Sequence, residues 1–151
     1  MSKKLFYISV FLIFVLFLSG CTTNEIVPGP NSQTAELHIY FEPNPVPYNA
    51  IDEEWNCTIT IEESNGIPVN LKSITFLGYN WLDELSLTLV LGTSDIQWWF
   101  GTSFLFSYST IQADIPTSTE RQYDMVTVEG IDSNGHQVET TGRINYLPIE
   151  Y

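Results

Sequence analysis

Basic residues and cysteine are both scarce in this chain. Five Lys and Arg stand against eighteen Asp and Glu, and only Lys72, Arg121 and Arg143 follow position 20. Beyond that point eighteen acidic residues face three basic ones, a net charge of −15. Such a surface repels phosphate backbones and anionic headgroups, which argues against nucleic acid as a partner and against an electrostatic grip on lipid. Two cysteines, Cys21 and Cys57, are too few for a thiolate zinc site. The only histidines, His38 and His136, fall on different predicted strands. No His-Glu-x-x-His run, no Gly-x-Ser-x-Gly elbow and no phosphate-cradling glycine loop occurs. No cofactor or metal is implied, and the chain is expected not to be an enzyme. Helical periodicity is also missing, since no stretch after position 21 keeps apolar residues at helical spacing for three turns.

What is present begins with a basic head, Met1 to Lys4, followed by an apolar run from Leu5 to Leu18. This is the pattern of a signal peptide, and fourteen residues is short of the roughly 20 that cross a bilayer. The run ends in Leu18-Ser19-Gly20-Cys21, which resembles the prokaryotic lipobox. That resemblance implies cleavage before Cys21 and a diacylglyceryl group on its thiol. Two acyl chains hold a protein stably where one holds it marginally. The expected location is therefore the extracytoplasmic face of a cell membrane or outer membrane, with the membrane as partner through covalent lipid on Cys21. Residues 21–34, rich in Pro, Gly, Asn and Thr, read as a tether.

From position 35 to 151 the dominant period is two. Leu37, Ile39 and Phe41 alternate with polar residues, as do Trp55, Cys57, Ile59 and Ile61. Leu71 to Tyr79, Leu85 to Leu91, Phe104 to Ile115, Tyr123 to Asp132 and His136 to Tyr146 supply further strands. Ser64-Asn65-Gly66 and Ser133-Asn134-Gly135 are tight turns, and Pro43, Pro45 and Pro47 force a turn or a sheet edge. Asp95 to Phe100 is read as a strand segment or one helical turn. About seven strands without interleaved helices predict an all-β, two-sheet β-sandwich.

Phe41-Glu42-Pro43-Asn44-Pro45-Val46, Ile59 to Gly66, Trp99-Phe100-Gly101-Thr102 and Val128 to Gly135 resemble, in order, segments of prokaryotic cell-surface immunoglobulin-like domains. The resemblance covers residue 35 to about 146 and implies an immunoglobulin-like sandwich with a binding or spacer role. In bridged members, cysteines on the second and penultimate strands join across the core. Here Cys57 faces Val126 and Val128, so no such bridge forms and Cys57 is read as a small buried hydrophobe.

Few residues suggest a ligand site. Trp98, Trp99 and Phe100 form the candidate, because three consecutive aromatics on a strand cannot all point inward and exposed indole stacks on sugar rings. Tyr79 and Trp81 could extend it. Asn56-Cys57-Thr58 fits a glycosylation sequon at Asn56. The acidic groups around Asp52 to Glu54 and Glu129 to Asn134 do not match a calcium loop and read as a solvated run and a self-bonded hairpin. The expected function is a membrane-anchored binding or spacer module facing an envelope protein or polysaccharide. Binding of an envelope carbohydrate through residues 98–100 is the alternative.

Overall fold

The structure is a computed structural model that describes residues 33–149. The signal segment 1–20, Cys21 and all of the tether before Gln33 lie outside the described residues. Nine strands and one helix occupy the rest. They are β1 (Leu37–Glu42), β2 (Tyr48–Asn49), β3 (Glu54–Glu63), β4 (Val69–Tyr79) and β5 (Leu85–Gly92). These are followed by α1 (Thr93–Phe100), β6 (Phe104–Leu105), β7 (Thr110–Thr117), β8 (Tyr123–Asp132) and β9 (Gln137–Asn145).

Alternation along β3 fixes the first sheet. Trp55, Cys57, Ile59, Ile61 and Glu63 point into the core, and the residues between them face outward. β3 pairs antiparallel with β7 on one side and with β1 and then β2 on the other. The sheet is therefore three strands wide, because β1 and β2 share an edge across the Pro43–Pro47 segment. Its register sets Ile39 against Ile61 and Phe41 against Ile59. The second sheet runs β5-β4-β8-β9, with β6 sharing the β5 edge of β4, and is four strands wide. Its inner face carries Val69, Leu71, Ile74, Phe76, Val126, Val128 and Ile144. Each fully buried Ile, Leu or Trp here contributes on the order of 2 kcal/mol of transfer free energy.

The two-sheet, all-β expectation is borne out, and three local readings change. Phe104 to Ile115 is not one strand, because β6 belongs to the second sheet and β7 to the first. The chain turns the corner at Tyr108, whose φ of 55 is left-handed. Residues 98–100 lie on a helix. Asp95 Oδ2 accepts the Gly92 N–H at 3.0 Å, and Gly101, with φ 75, ends the helix in the left-handed conformation glycine favours. Its apolar residues Ile96, Trp99 and Phe100 hold helical spacing, and Ile96 and Phe100 enter the core. Finally, the seven expected strands are joined by the two-residue β2 and β6.

The two long edges of the sandwich differ. At one, β9 packs on β1, where a Cβ on Gly142 would meet Phe41 Cε2 at 2.6 Å and Ile39 Cγ2 at 2.8 Å. Only glycine lets the sheets approach that closely. At the other edge α1 packs against β4, β5 and β7.

Candidate functional site

Beside α1 the sandwich is open. The four-strand sheet extends past the three-strand sheet, so the inner face of β5 is incompletely covered. Leu91 is buried, whereas Leu89 is 44% exposed and Leu85 55%. The resulting cleft, about 240 Å³, is walled by Phe76, Leu87, Leu89, Leu91, Trp99 and Ile115 and runs to Thr117, Arg121 and Asp124. Apolar walls with a few polar groups at one end are the usual make-up of a ligand pocket. A larger depression of about 430 Å³ lies on the outer face of β8 and β9, lined by Lys72, Glu129, Gln137 and Glu139 among others. Its lining mixes these polar side chains with Ile131 and Val138 in about equal share, whereas the cleft is mostly apolar, so the cleft is the better candidate.

The polar end of the cleft is a buried charge pair. Arg121 Nε lies 2.8 Å from Asp124 Oδ1, and both side chains are almost fully buried. The pair is an electrostatic contact, since neither of these two atoms has a hydrogen-bond partner in good geometry. Arg121 Nη2 donates to Thr117 Oγ1 at 2.6 Å, and Tyr146 Oη donates to Asp124 Oδ2 at 2.8 Å. Burial pushes the Asp124 carboxyl above its ordinary pKa, against the opposing pull of Arg121 and Tyr146. The Tyr146 hydroxyl is raised beyond the usual phenol range by burial and by the Asp124 charge.

The three candidate aromatics separate by depth. Trp98 is 76% exposed on the outer side of α1, Trp99 is half-buried in the cleft wall, and Phe100 is buried. Trp98 and Trp99 meet edge to face with centroids 5.3 Å apart. Tyr79 stacks on Tyr123, which Arg143 covers at 3.7 Å, and Trp81 Nε1 donates to Glu120. Those residues therefore belong to another surface. Asn56 is exposed on β3, and its Nδ2 donates to Glu54 Oε1 at 2.7 Å. Cys57 is buried, and loss of solvation raises its thiol to about 11. His38 Nε2 lies 3.0 Å from Ser64 Oγ, and His136 Nδ1 lies 3.3 Å from Asp132 Oδ2. Among the described residues no group of three or more His, Cys, Asp or Glu is placed to hold a metal ion.

Two carboxylates are buried: Glu63, not singled out from the sequence, and Asp132, in the hairpin expected to bond its own backbone. Glu63 accepts the N–H groups of Asn65, Gly66 and Tyr108 at 2.9 to 3.0 Å. Asp132 accepts those of Asn134, His136 and Ala35 at 2.9 to 3.1 Å. Burial alone would raise both carboxyls, but these backbone donors outweigh it and hold both below the ordinary carboxylate range. The signal was present: Glu63-Ser64-Asn65-Gly66 and Asp132-Ser133-Asn134-Gly135 repeat one acid-Ser-Asn-Gly pattern. In both, the acid bonds the N–H two residues on and so closes its own turn.

These turns lie at the end of the sandwich where the described chain begins. Asn134 Nδ2 donates to Gln33 O and Asn65 Nδ2 to Thr34 O. The β6–β7 corner lies at the same end, with Phe106 66% and Tyr108 75% exposed.

No family model and no curated protein sequence matches this chain. Solved structures similar to it include the structural-genomics target SoR45, at 12% identity over 78% of this chain and 92% of that one, TM-score 0.46. A candidate ApaA protein from Bordetella pertussis matches at 12% identity over 76% and 96%, TM-score 0.45. A third is the alkylpurine DNA glycosylase AlkC of Pseudomonas fluorescens, solved with DNA containing an abasic site analog. It is 12% identical over 77% of this chain and 32% of that one, TM-score 0.36. This last similarity corrects the expectation that the chain is not an enzyme, since one of the similar structures is an enzyme. A likeness this slight does not assign that activity here.

Proposed function

We propose that the protein is a lipoprotein, held to the outer face of a membrane by diacylglyceryl on Cys21, that presents an immunoglobulin-like domain as a binding or spacer module. The observation that carries this reading is the Leu18-Ser19-Gly20-Cys21 box directly after a basic head and an apolar run. Strand order supports the immunoglobulin-like part: β1, β3 and β7 share one sheet and β5, β4, β8 and β9 the other, as in that class of sandwich. The cleft beside α1 supports binding. Cys21→Ser tests the anchor, with release from membranes or blocked processing as the expected outcome. Unchanged processing with full membrane retention would refute it.

One observation favours a carbohydrate or other envelope polymer as ligand: Trp98 stands 76% exposed on a short helix, edge to face with Trp99. Exposed indole offers a flat apolar face for a sugar ring. Trp98→Ala would abolish glycan retention on an affinity gel under this reading.

A further inference from the structure

The two poles of the sandwich differ in chemistry. At the far pole, the loops joining β2 to β3, β4 to β5 and β7 to β8 expose Asp52, Glu53, Asp83, Glu84 and Glu120. At the near pole, where Gln33 joins the domain, the connecting loops span residues 64–68, 101–103, 106–109 and 133–136 and contain no acid and no Lys or Arg. Of the acids bordering that pole, Glu63 and Asp132 are buried under backbone N–H groups, whereas Asp95, which accepts the Gly92 N–H, and Glu36, 63% exposed and 3.5 Å from His38, stay at the surface. In a domain with so strong a negative charge, this leaves one pole whose loops carry no charge, with two exposed acids at its margin against five in the loops of the other.

That pole is also aromatic. Phe106 and Tyr108 project from the corner, and Phe106 rests edge to face on Phe104 with centroids 4.8 Å apart. The corner is held firmly. Tyr108 keeps a left-handed φ, its N–H is bonded to Glu63, and its ring lies so close to Gly66 that a Cβ there would come within 2.7 Å. Rings held out to solvent on a rigid corner whose loops carry no charge suit the boundary between headgroups and acyl chains, where amphipathic aromatics concentrate.

The length of chain beyond the described residues names the occupant. Eleven residues lie between Cys21 and Gln33, a reach of at most about 43 Å for that length of chain. An acylated Cys21 would therefore keep the near pole close to the bilayer. We infer that the lipid-anchored domain sits with Phe106 and Tyr108 in the bilayer interface, its less acidic pole against zwitterionic headgroups and its more acidic pole turned to the exterior. This rests on the anchored-lipoprotein reading. Aromatic burial supplies the contact, and the exposed loop acids are carried to the other end of strands about 33 Å long.

The test places one reporter at each pole of the full-length protein, purified from its native membrane and reconstituted into phosphatidylcholine vesicles with brominated acyl chains. Phe106→Trp marks the near pole, and Ile51→Trp, at a position 91% exposed, marks the far pole. Emission is read as the difference from the unsubstituted protein, and the mass of the Cys21 peptide is measured on the same sample. The Phe106→Trp signal should fall at least about twofold in brominated relative to unbrominated vesicles, with the Ile51→Trp signal unchanged. An acylated Cys21 with no quenching at 106, or with equal quenching at both poles, overturns the orientation and leaves the anchor standing. An unmodified Cys21 removes the anchor: continued vesicle binding with quenching at 106 would support the near pole as a membrane contact in its own right, and no binding would refute both.

Discussion

Asp132 Oδ2 accepts the backbone N–H of Ala35 at 3.1 Å, joining residues 97 apart in sequence. Through this bond the first residues of the domain are fastened to the end of β8, and the same carboxylate closes the turn that begins β9. One buried charge therefore ties together both sheets and the point where the described chain begins.

Asp132→Ala should thus destabilise the domain well beyond an ordinary surface substitution. It leaves three backbone N–H groups, one buried and two part-buried, without their charged acceptor, a cost of about 3 kcal/mol. Urea denaturation checks it. A loss under about 0.5 kcal/mol would mean that water or the neighbouring backbone replaces the carboxylate.

Glu63 predicts a pH dependence of definite sign. Its folded pKa lies below the unfolded value, so its contribution is present above the ordinary carboxylate range and is lost as pH falls through the folded value. Glu63→Gln should be less stable than the unsubstituted protein at neutral pH, by about 1 to 3 kcal/mol. The gap should narrow below about pH 4. Melting curves of the pair at the two pH values test this, and a gap independent of pH would refute it.

Much of the fold was legible because one face of most strands is buried, and burial leaves a period of two. Trp55 to Ile61 is the clearest case, and the Asn-Gly turns were equally plain, with Gly66 and Gly135 at φ 81 and 87. Helix α1 was read only in part, because eight residues make little more than two turns. The break at Tyr108 leaves no mark on periodicity, since Phe104 to Ile115 remains β-prone on either side of the crossing between sheets. The cleft could not be read at all: Leu87 and Leu89 alternate with polar residues as a covered strand would, and their exposure follows from the unequal width of the two sheets. The self-bonded hairpin at Asp132 was legible from its Asx residues, but neither its burial nor that of Glu63 was, because both depend on backbone N–H groups brought in from Ala35 and Tyr108.

Depth on α1 separates packing from recognition. Trp98→Ala should leave the melting temperature within about 2 °C of the parent, because the ring is largely solvated. Trp99→Ala should cost about 2 to 3 kcal/mol through the exposed cleft wall and lost packing. Equal destabilisation by the two would show that Trp98 is held in the fold and is not displayed on it.

Cys57 should be inert in the native state. Its thiol is buried and its pKa is raised to about 11, so little thiolate forms at pH 8 and little of it is reachable. A chromogenic disulfide reagent should label it only after denaturant is added. Prompt labelling of the folded protein would place the sulfur at the surface and contradict the packing of β3.

The most direct test of the whole account is the intact mass of protein purified from its native membrane. The account predicts a chain that starts at residue 21 and carries a diacylglyceryl thioether on that cysteine. A chain still beginning at Met1 with a free thiol at position 21 would contradict it.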